Sequence, residues 1–128
     1  MKRNHRSAFS LVEVMIVVMI LGILLTIAVP NFIRARQQGR VQTVVGNLKQ
    51  LESAKEQWAL DQGKGTADVP AAADLVPGYI KAWPKGPVGN GADYVPNDLA
   101  SRPTFKGVPV DDFQDPATRD AAIAACGL

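Results

Sequence analysis

The sequence has one cysteine, one histidine and few aromatic residues, which make up 6% of the chain. Cys126 alone cannot form a disulfide within the chain, so a small domain must be stabilised in another way, and a single thiol leaves the redox compartment open. His5 lies near the N-terminus, and no activated-nucleophile pattern surrounds Cys126. These shortages argue against an enzyme, and no cofactor is expected.

The chain also lacks a large excess of charge of one sign. Its formal net charge is +2, from fourteen basic and twelve acidic side chains. Lys2, Arg3 and Arg6 supply three of the basic groups, so the chain from Phe9 onward carries eleven basic and twelve acidic side chains. No basic patch of the kind that binds nucleic acid is expected.

The sequence does contain one long apolar run. Residues 11–29 are nineteen positions with a single charge, Glu13, and a helix needs roughly 20 apolar residues to cross about 30 Å of hydrocarbon. We therefore predict a membrane-spanning helix. A cleaved secretory signal is the alternative, because residues 26–28 form a tolerable small-x-small cleavage site. The run is long for such a signal, however, and contains a carboxylate.

Basic residues flank this run on both sides, so counting charges barely distinguishes the two possible orientations in the membrane. They are Lys2, Arg3 and Arg6 before it and Arg34, Arg36 and Arg40 after it. The first group is translated first and lies closer to the run, which favours a cytoplasmic N-terminal end under the positive-inside preference.

Beyond Pro30 the pattern becomes amphipathic. One helical face is apolar: Val41, Val44, Val45, Leu48, Leu51, Ala54, Trp58 and Ala59. The opposite face is polar: Arg40, Gln42, Asn47, Lys49, Gln50, Glu52, Ser53 and Glu56. Gly63 and Gly65 provide stops, so this helix is predicted to end at Asp61 or Gln62.

The remaining part of roughly 65 residues is predicted to form a small head. We expect a short helix at residues 71–76, an extended segment at 79–83 and two short strands at 93–95 and 103–106. Prolines in the strands make them edge or irregular strands. A last helix is predicted from Asp115 as N-cap to about Ala125. The fold class is therefore α+β, with a long N-terminal helix packed on a head that carries a short hairpin or small antiparallel sheet.

Glu13 is the most informative residue of the apolar run. A carboxylate at the centre of a bilayer costs about 2.5–3.5 kcal/mol, so it needs a partner or a place near the interface. One interpretation is that Glu13, close to the cytoplasmic end, reaches the headgroups.

The residues around Glu13 favour another interpretation. Residues 8–13, Ala-Phe-Ser-Leu-Val-Glu, follow a basic segment and open a run long enough to span a membrane. This arrangement resembles the processing site of type IV pilins and of the related pseudopilins of type II secretion. The resemblance implies that a prepilin peptidase cleaves between Ala8 and Phe9, and that Phe9 becomes the methylated N-terminus. Glu13 would attract the N-terminal amine of a neighbouring subunit and set the register. Ala8 departs from the glycine usual in the family.

The predicted organisation follows from this resemblance. Residues 1–8 are a basic leader peptide, 9–33 a transmembrane and assembly helix, 34–62 its amphipathic continuation and 63–128 the small globular head. Pro30 cannot bond the Thr26 carbonyl, and Gly22 costs about 1 kcal/mol in a helix interior. By resemblance, the segment from Gly22 to Pro30 softens when subunits pack into a filament.

The head carries fewer of the family's features. Trp83 and Pro84 are similar to the Trp-Pro turn of small pilin-like heads, but the cysteine found near Gly86 in some short relatives, which pairs with one near the C-terminus, is absent. Trp58, Tyr79 and Trp83 are interpreted as core residues rather than a glycan site. Major pseudopilins bind calcium in the head, whereas the acidic residues here show no EF-hand spacing and are interpreted as a solvated loop and helix start, so no metal site is predicted. They are Asp111, Asp112, Asp115 and Asp120.

The resemblance implies a structural subunit of a type IV pilus-like filament. Its partners would be copies of itself, the prepilin peptidase, and an inner-membrane assembly platform with its ATPase. It would first cross the bacterial inner membrane once, with the head exported, and then enter a surface or periplasm-spanning filament. The alternatives are a type II secretion pseudopilin and a single-span anchored binding domain.

Overall fold

The computed structural model describes residues 8–128. Most of the predicted leader therefore lies outside the described residues. The chain divides into two compact units, residues 1–36 and 37–128, which are described separately below.

The first unit contains the start of helix α1, which covers Leu11–Gln62. The helix continues through Pro30 without a break. Its large apolar side chains in this unit are exposed, from 48% at Ile16 to 83% at Leu11. By length and composition, α1 contains a segment that can cross a membrane, and none of that segment is buried. Such a surface is costly in water, since it leaves a large apolar area hydrated.

The second unit is built around the C-terminal part of α1. The predicted apolar face is confirmed, because its residues up to Trp58 are buried and Ala59 packs partly against them. The head contributes the rest of one core. Its buried apolar side chains are Leu75, Ile80, Tyr94, Phe105, Val110, Phe113, Ala122, Cys126 and Leu128.

The head begins with helix α2, Ala72–Leu75, inside the predicted helical segment. The segment that follows does not extend as predicted. The amides of Tyr79 and Ile80 both donate to the carbonyl of Leu75, at 2.9 Å each, and this turns the chain back on itself. A single turn of 3-10 helix, Gly91–Asp93, then leads into the sheet.

The sheet has three antiparallel strands in the order β1-β2-β3: Tyr94–Val95, Thr104–Phe105 and Val108–Pro109. Tyr94 lies opposite Phe105, and Phe105 lies opposite Val108. The first two strands confirm the sequence prediction, whereas β3 was not predicted. The fold class is confirmed: a long N-terminal helix and a small antiparallel sheet with short helices.

Two short helices close the head, α3 at Val110–Gln114 and α4 at Arg119–Cys126. The prediction that Asp115 is the N-cap of the last helix is wrong. Asp115 is the C-cap of α3, and its side chain accepts a hydrogen bond from the Ala117 amide at 2.9 Å, which forms a turn before α4 begins. The predicted last helix corresponds to α4, which has Thr118 as its N-cap, and α3, which lies before Asp115, was not predicted.

Candidate assembly site at the start of the long helix

The predicted cleavage position lies just before α1. Residues 8–10 are not helical, and all three are exposed. An exposed, non-helical stretch is the kind of backbone that a peptidase can bind. The helix begins two residues beyond Phe9, at Leu11. The bond between Ala8 and Phe9 is therefore accessible in this chain.

Glu13 lies in the first turn of α1, where the partial positive charge of the helix end favours a carboxylate. Phe9, Glu13, Val14 and Val17 line a shallow recess of about 280 Å³. Within residues 8–128, no basic side chain lies within ion-pair distance of Glu13. The structure thus brings Phe9 and Glu13 together at one recess whose other walls are apolar. Such a recess can receive a cationic group from another molecule.

Gly22 and Pro30 lie further along the same part of α1. A methyl group added at Gly22 would have nothing within 4 Å, so packing within the chain does not require glycine there. The Thr26 hydroxyl donates to the Gly22 carbonyl at 2.9 Å. Pro30 has no amide hydrogen for the Thr26 carbonyl. The helical hydrogen-bond pattern is thus weakened at Pro30, although the helix continues.

The aromatic side chains of the head pack in its core, as interpreted from the sequence. Trp58 is 7% exposed, and Tyr79 and Trp83 pack against the buried cluster. The Trp83 indole donates to the Gly91 carbonyl at 2.7 Å, which ties down the glycine-rich turn before β1.

Lys55 is a buried residue that sequence reasoning did not identify. Its side chain is 2% exposed, and its ammonium donates to the carbonyls of Pro96, Asp98 and Ser101 at 3.1, 2.8 and 2.5 Å. Burial lowers its pKa, and the neighbouring carboxylates, chiefly Glu52, oppose that change. The sequence feature that could have indicated this burial is the position of Lys55 directly beside Ala54 on the apolar face.

Both the N-terminal residues and most of the chain resemble known proteins. A family described as "Prokaryotic N-terminal methylation motif" matches residues 3–29. Type II secretion system core protein G of Vibrio cholerae is 32% identical, over 81% of this chain and 81% of that protein. The proteins of the same name from Aeromonas hydrophila and Escherichia coli are each 33% identical, over 70% and 72% of this chain and 73% and 72% of theirs. The chain belongs to the type IV pilin and type II secretion pseudopilin family. No solved structure matches it significantly.

Members of the pilin and pseudopilin family are structural subunits rather than enzymes. The chain is accordingly a pilin-like filament subunit. Its apolar N-terminal helix is consistent with anchoring in the inner membrane.

The head differs from the disulfide-bonded members of this pilin and pseudopilin family. Cys126 is free and buried, and its thiol donates to the Phe105 carbonyl at 3.5 Å. Burial raises the pKa of this thiol. The ring of Phe105 lies against Gly86, where a Cβ atom would be 3.0 Å from it. Phe105 therefore packs where the resemblance implies one half of a disulfide.

The acidic residues of this pilin-like head do not gather into a metal site. No group of three or more potential metal ligands is found among residues 8–128. Asp111 pairs with Arg102, which also lies 3.8 Å from Glu52. Asp115 is engaged in its turn. The acidic cluster therefore does not fit the calcium site that the resemblance implies.

Proposed function

We propose that this subunit is a pseudopilin of a type II secretion system, the second of the two filament assignments that the sequence predicted. One observation carries the proposal. The relatives named type II secretion system core protein G match well beyond the N-terminal motif, over 81% of the chain for the Vibrio protein. Because the N-terminal helix is the common assembly element, similarity through the head is what favours this assignment.

Processing comes first in the proposed sequence of events. The peptidase cleaves the exposed, non-helical bond between Ala8 and Phe9, and Phe9 is then methylated at its new amine. Cleavage removes Lys2, Arg3 and Arg6, and with them the basic flank that orients the precursor. The mature chain keeps its apolar helix in the membrane, with the head on the exported side.

Assembly follows through the recess at Glu13. The amine of Phe9 in one subunit pairs with the Glu13 carboxylate of a neighbour. In a low-dielectric surrounding such a pair is far stronger than in water, and an uncompensated charge is costly. A misplaced neighbour would leave Glu13 without its partner, so the pair sets axial register as well as adhesion. Extraction from the membrane is driven by an assembly platform and its ATPase.

The segment from Gly22 to Pro30 serves as a softening point in the filament. Its helix already lacks one hydrogen bond at Pro30, and the freed carbonyl can be satisfied by neighbours when subunits pack. Local melting there would let the fibre extend without breaking contacts at Glu13.

The test is deletion of the gene in the host bacterium. We expect exoproteins to accumulate in the periplasm and to reappear in the medium on complementation with the wild-type gene. Complementation with Asp120→Asn, a change at an exposed carboxylate of the second unit, should restore secretion equally. Normal secretion with loss of surface pili or twitching motility would assign the subunit to a type IV pilus instead.

A further inference from the structure

The loop between β1 and β2, residues 96–103, directs backbone carbonyls at a buried lysine. Three of its backbone carbonyls, those of Pro96, Asp98 and Ser101, point at one nitrogen atom, the Nζ of Lys55. We refer to these three carbonyls as the carbonyl cage. The nitrogen reaches the cage from α1, and its side chain is 2% exposed. Carbonyl oxygens converging on one point form the ligand type that proteins use for hard cations.

The number of hydrogen bonds fixes the charge of the group in the cage. An ammonium has three N–H donors and no acceptor, whereas a neutral amine has only two donors. All three cage oxygens accept from Nζ, so the occupant is the charged form. Among the described residues, no buried side-chain nitrogen or oxygen is left without a partner. The three donors of the ammonium are therefore all used by the cage.

The rest of the loop is held by hydrogen bonds within the loop and by one to a neighbouring segment of the head. The Ser101 amide donates to the Asp98 carboxylate at 2.8 Å, and the Ala100 amide donates to the Thr66 carbonyl at 3.0 Å. Asn97 adopts a positive φ of 55°, and its side-chain amide donates to the Arg102 carbonyl at 2.8 Å. These bonds shape the loop, and Lys55 fastens the shaped loop to the long helix.

We propose that the carbonyl cage is a site for a primary ammonium ion, and that Lys55 supplies this ion from within the chain so that the loop closes without a divalent metal. The negative charges of Glu52, Asp98 and Glu56 favour a cation at this position. Among residues 8–128, the acidic residues near α3 and α4 do not gather into a group that could hold a metal ion. This inference concerns the head alone and does not depend on the kind of filament that the subunit forms.

The first test removes the tethered ion and adds a free one. In Lys55→Ala, the missing atoms correspond to propylammonium. For the full chain in detergent, we expect Tm to fall by about 10 °C, because hydrogen bonds to a charged group are lost from a small domain. Propylammonium chloride should recover at least half of the loss. Tetramethylammonium chloride at the same ionic strength has no N–H donor and should recover none.

Lys49→Ala is the matched control, since Lys49 is an exposed lysine on the same helix. It should leave Tm unchanged and show no response to propylammonium. A wild-type Tm in Lys55→Ala would overturn the proposal. So would a loss that neither salt relieves, or one that both salts relieve equally.

A second test holds even if Lys55→Ala fails to fold. Lys55→Met keeps an apolar stem and removes the ammonium. We expect amide hydrogen exchange at residues 98–101 to accelerate at least tenfold while the amides of residues 41–58 keep their protection. In the same series, EDTA or added calcium should leave the wild-type Tm unchanged. Wild-type exchange in the loop of Lys55→Met, or a calcium-dependent Tm in the wild type, would refute the proposal.

Discussion

At the scale of single residues, Glu13 and Lys55 are charged side chains among apolar residues of α1, and they differ in whether a partner lies within the chain. Lys55 finds all its partners within its own chain, on three carbonyls of one loop. Glu13 lies in a recess with Phe9, Val14 and Val17, and no basic side chain among residues 8–128 is close enough to pair with it. A charge that is paired within its own chain stabilises the fold. A charge that is not paired there can favour binding of a partner molecule of opposite charge.

Glu13→Gln tests this selection. The amide keeps the shape of the side chain but cannot pair with the Phe9 amine of a neighbour. We expect the processed subunit to accumulate in the membrane while filament yield falls more than tenfold, since losing one partner of a low-dielectric ion pair costs about 3–5 kcal/mol. Filament yield is measured by shearing and immunoblotting. Asp120→Asn, which also turns an exposed carboxylate into an amide, should assemble normally. A wild-type filament yield in Glu13→Gln would refute the register role.

Ionisation of Asp98 makes the stability of the loop depend on pH. Hydrogen bonding from Ser101 lowers the pKa of this carboxyl below its ordinary value of 3.8, Lys55 lowers it further, and partial desolvation opposes both. A carboxyl with a lower pKa when folded contributes stability above its unfolded pKa, and that contribution disappears as the pH falls through the folded pKa. In Asp98→Asn the contribution is absent at every pH.

The free energy of unfolding of wild type and Asp98→Asn should therefore differ at pH 7, with the wild type more stable. Their difference should shrink as the pH falls below 3.8. Urea titrations at several pH values measure it. A difference that stays constant from pH 7 to pH 2 would show that the ionisation of Asp98 does not stabilise the loop.

At the scale of elements, the sequence predicted α1 best, because a regular 3.6-residue period repeats along it. Its buried face from Val41 to Trp58 follows from that period alone. The strands have two residues each, which is too short for a period, so β3 escaped prediction. The same applies to α3, a helix of five residues. Lys55 was missed because a sequence shows charge but not the loop carbonyls that surround it.

Two glycines of the second unit allow the effects of backbone propensity and of packing on stability to be measured separately. In Gly86→Ala, the new Cβ would lie 2.9 Å from the Val88 carbonyl oxygen and 3.0 Å from the Phe105 ring. We expect a loss of about 1–3 kcal/mol in the free energy of unfolding. In Gly46→Ala, nothing lies within 4 Å and the site is helical, so we expect a gain of about 0.5–1 kcal/mol. Denaturant unfolding measures both, and equal effects in the two variants would contradict the packing argument.

Pro30→Ala tests the proposed softening point of α1. The substitution restores an amide that can donate to the Thr26 carbonyl and removes a penalty of about 3 kcal/mol for proline in a helix. In assembled filaments, amide hydrogen exchange at residues 22–29 should slow at least tenfold. Gly39→Ala raises helix propensity outside this segment, with nothing within 4 Å of the new methyl group, and should leave exchange there unchanged. Equal exchange in Pro30→Ala and wild type would mean that the segment is not soft.

At the scale of the whole molecule, the proposed cleavage after Ala8 converts a precursor into a mature subunit. In Ala8→Glu, a large charged side chain replaces the small residue at the predicted cleavage bond. We expect an uncut precursor, longer than the mature chain by the leader, that stays in the membrane and forms no filament. Mass spectrometry of the N-terminus measures this, with methylated Phe9 expected in the wild type. A product of normal length from Ala8→Glu would refute cleavage at this bond.

The exposed apolar side chains of residues 11–33 affect how subunits reach a growing filament. In the proposed assembly, a subunit with that surface stays in the bilayer, so a growing filament draws on molecules confined to a sheet of lipid. Its growth threshold is then a surface density, in subunits per unit area of membrane, rather than a concentration. Lateral diffusion sets the rate of delivery. A cell that enlarges its inner membrane at constant copy number would dilute this two-dimensional reservoir and slow elongation.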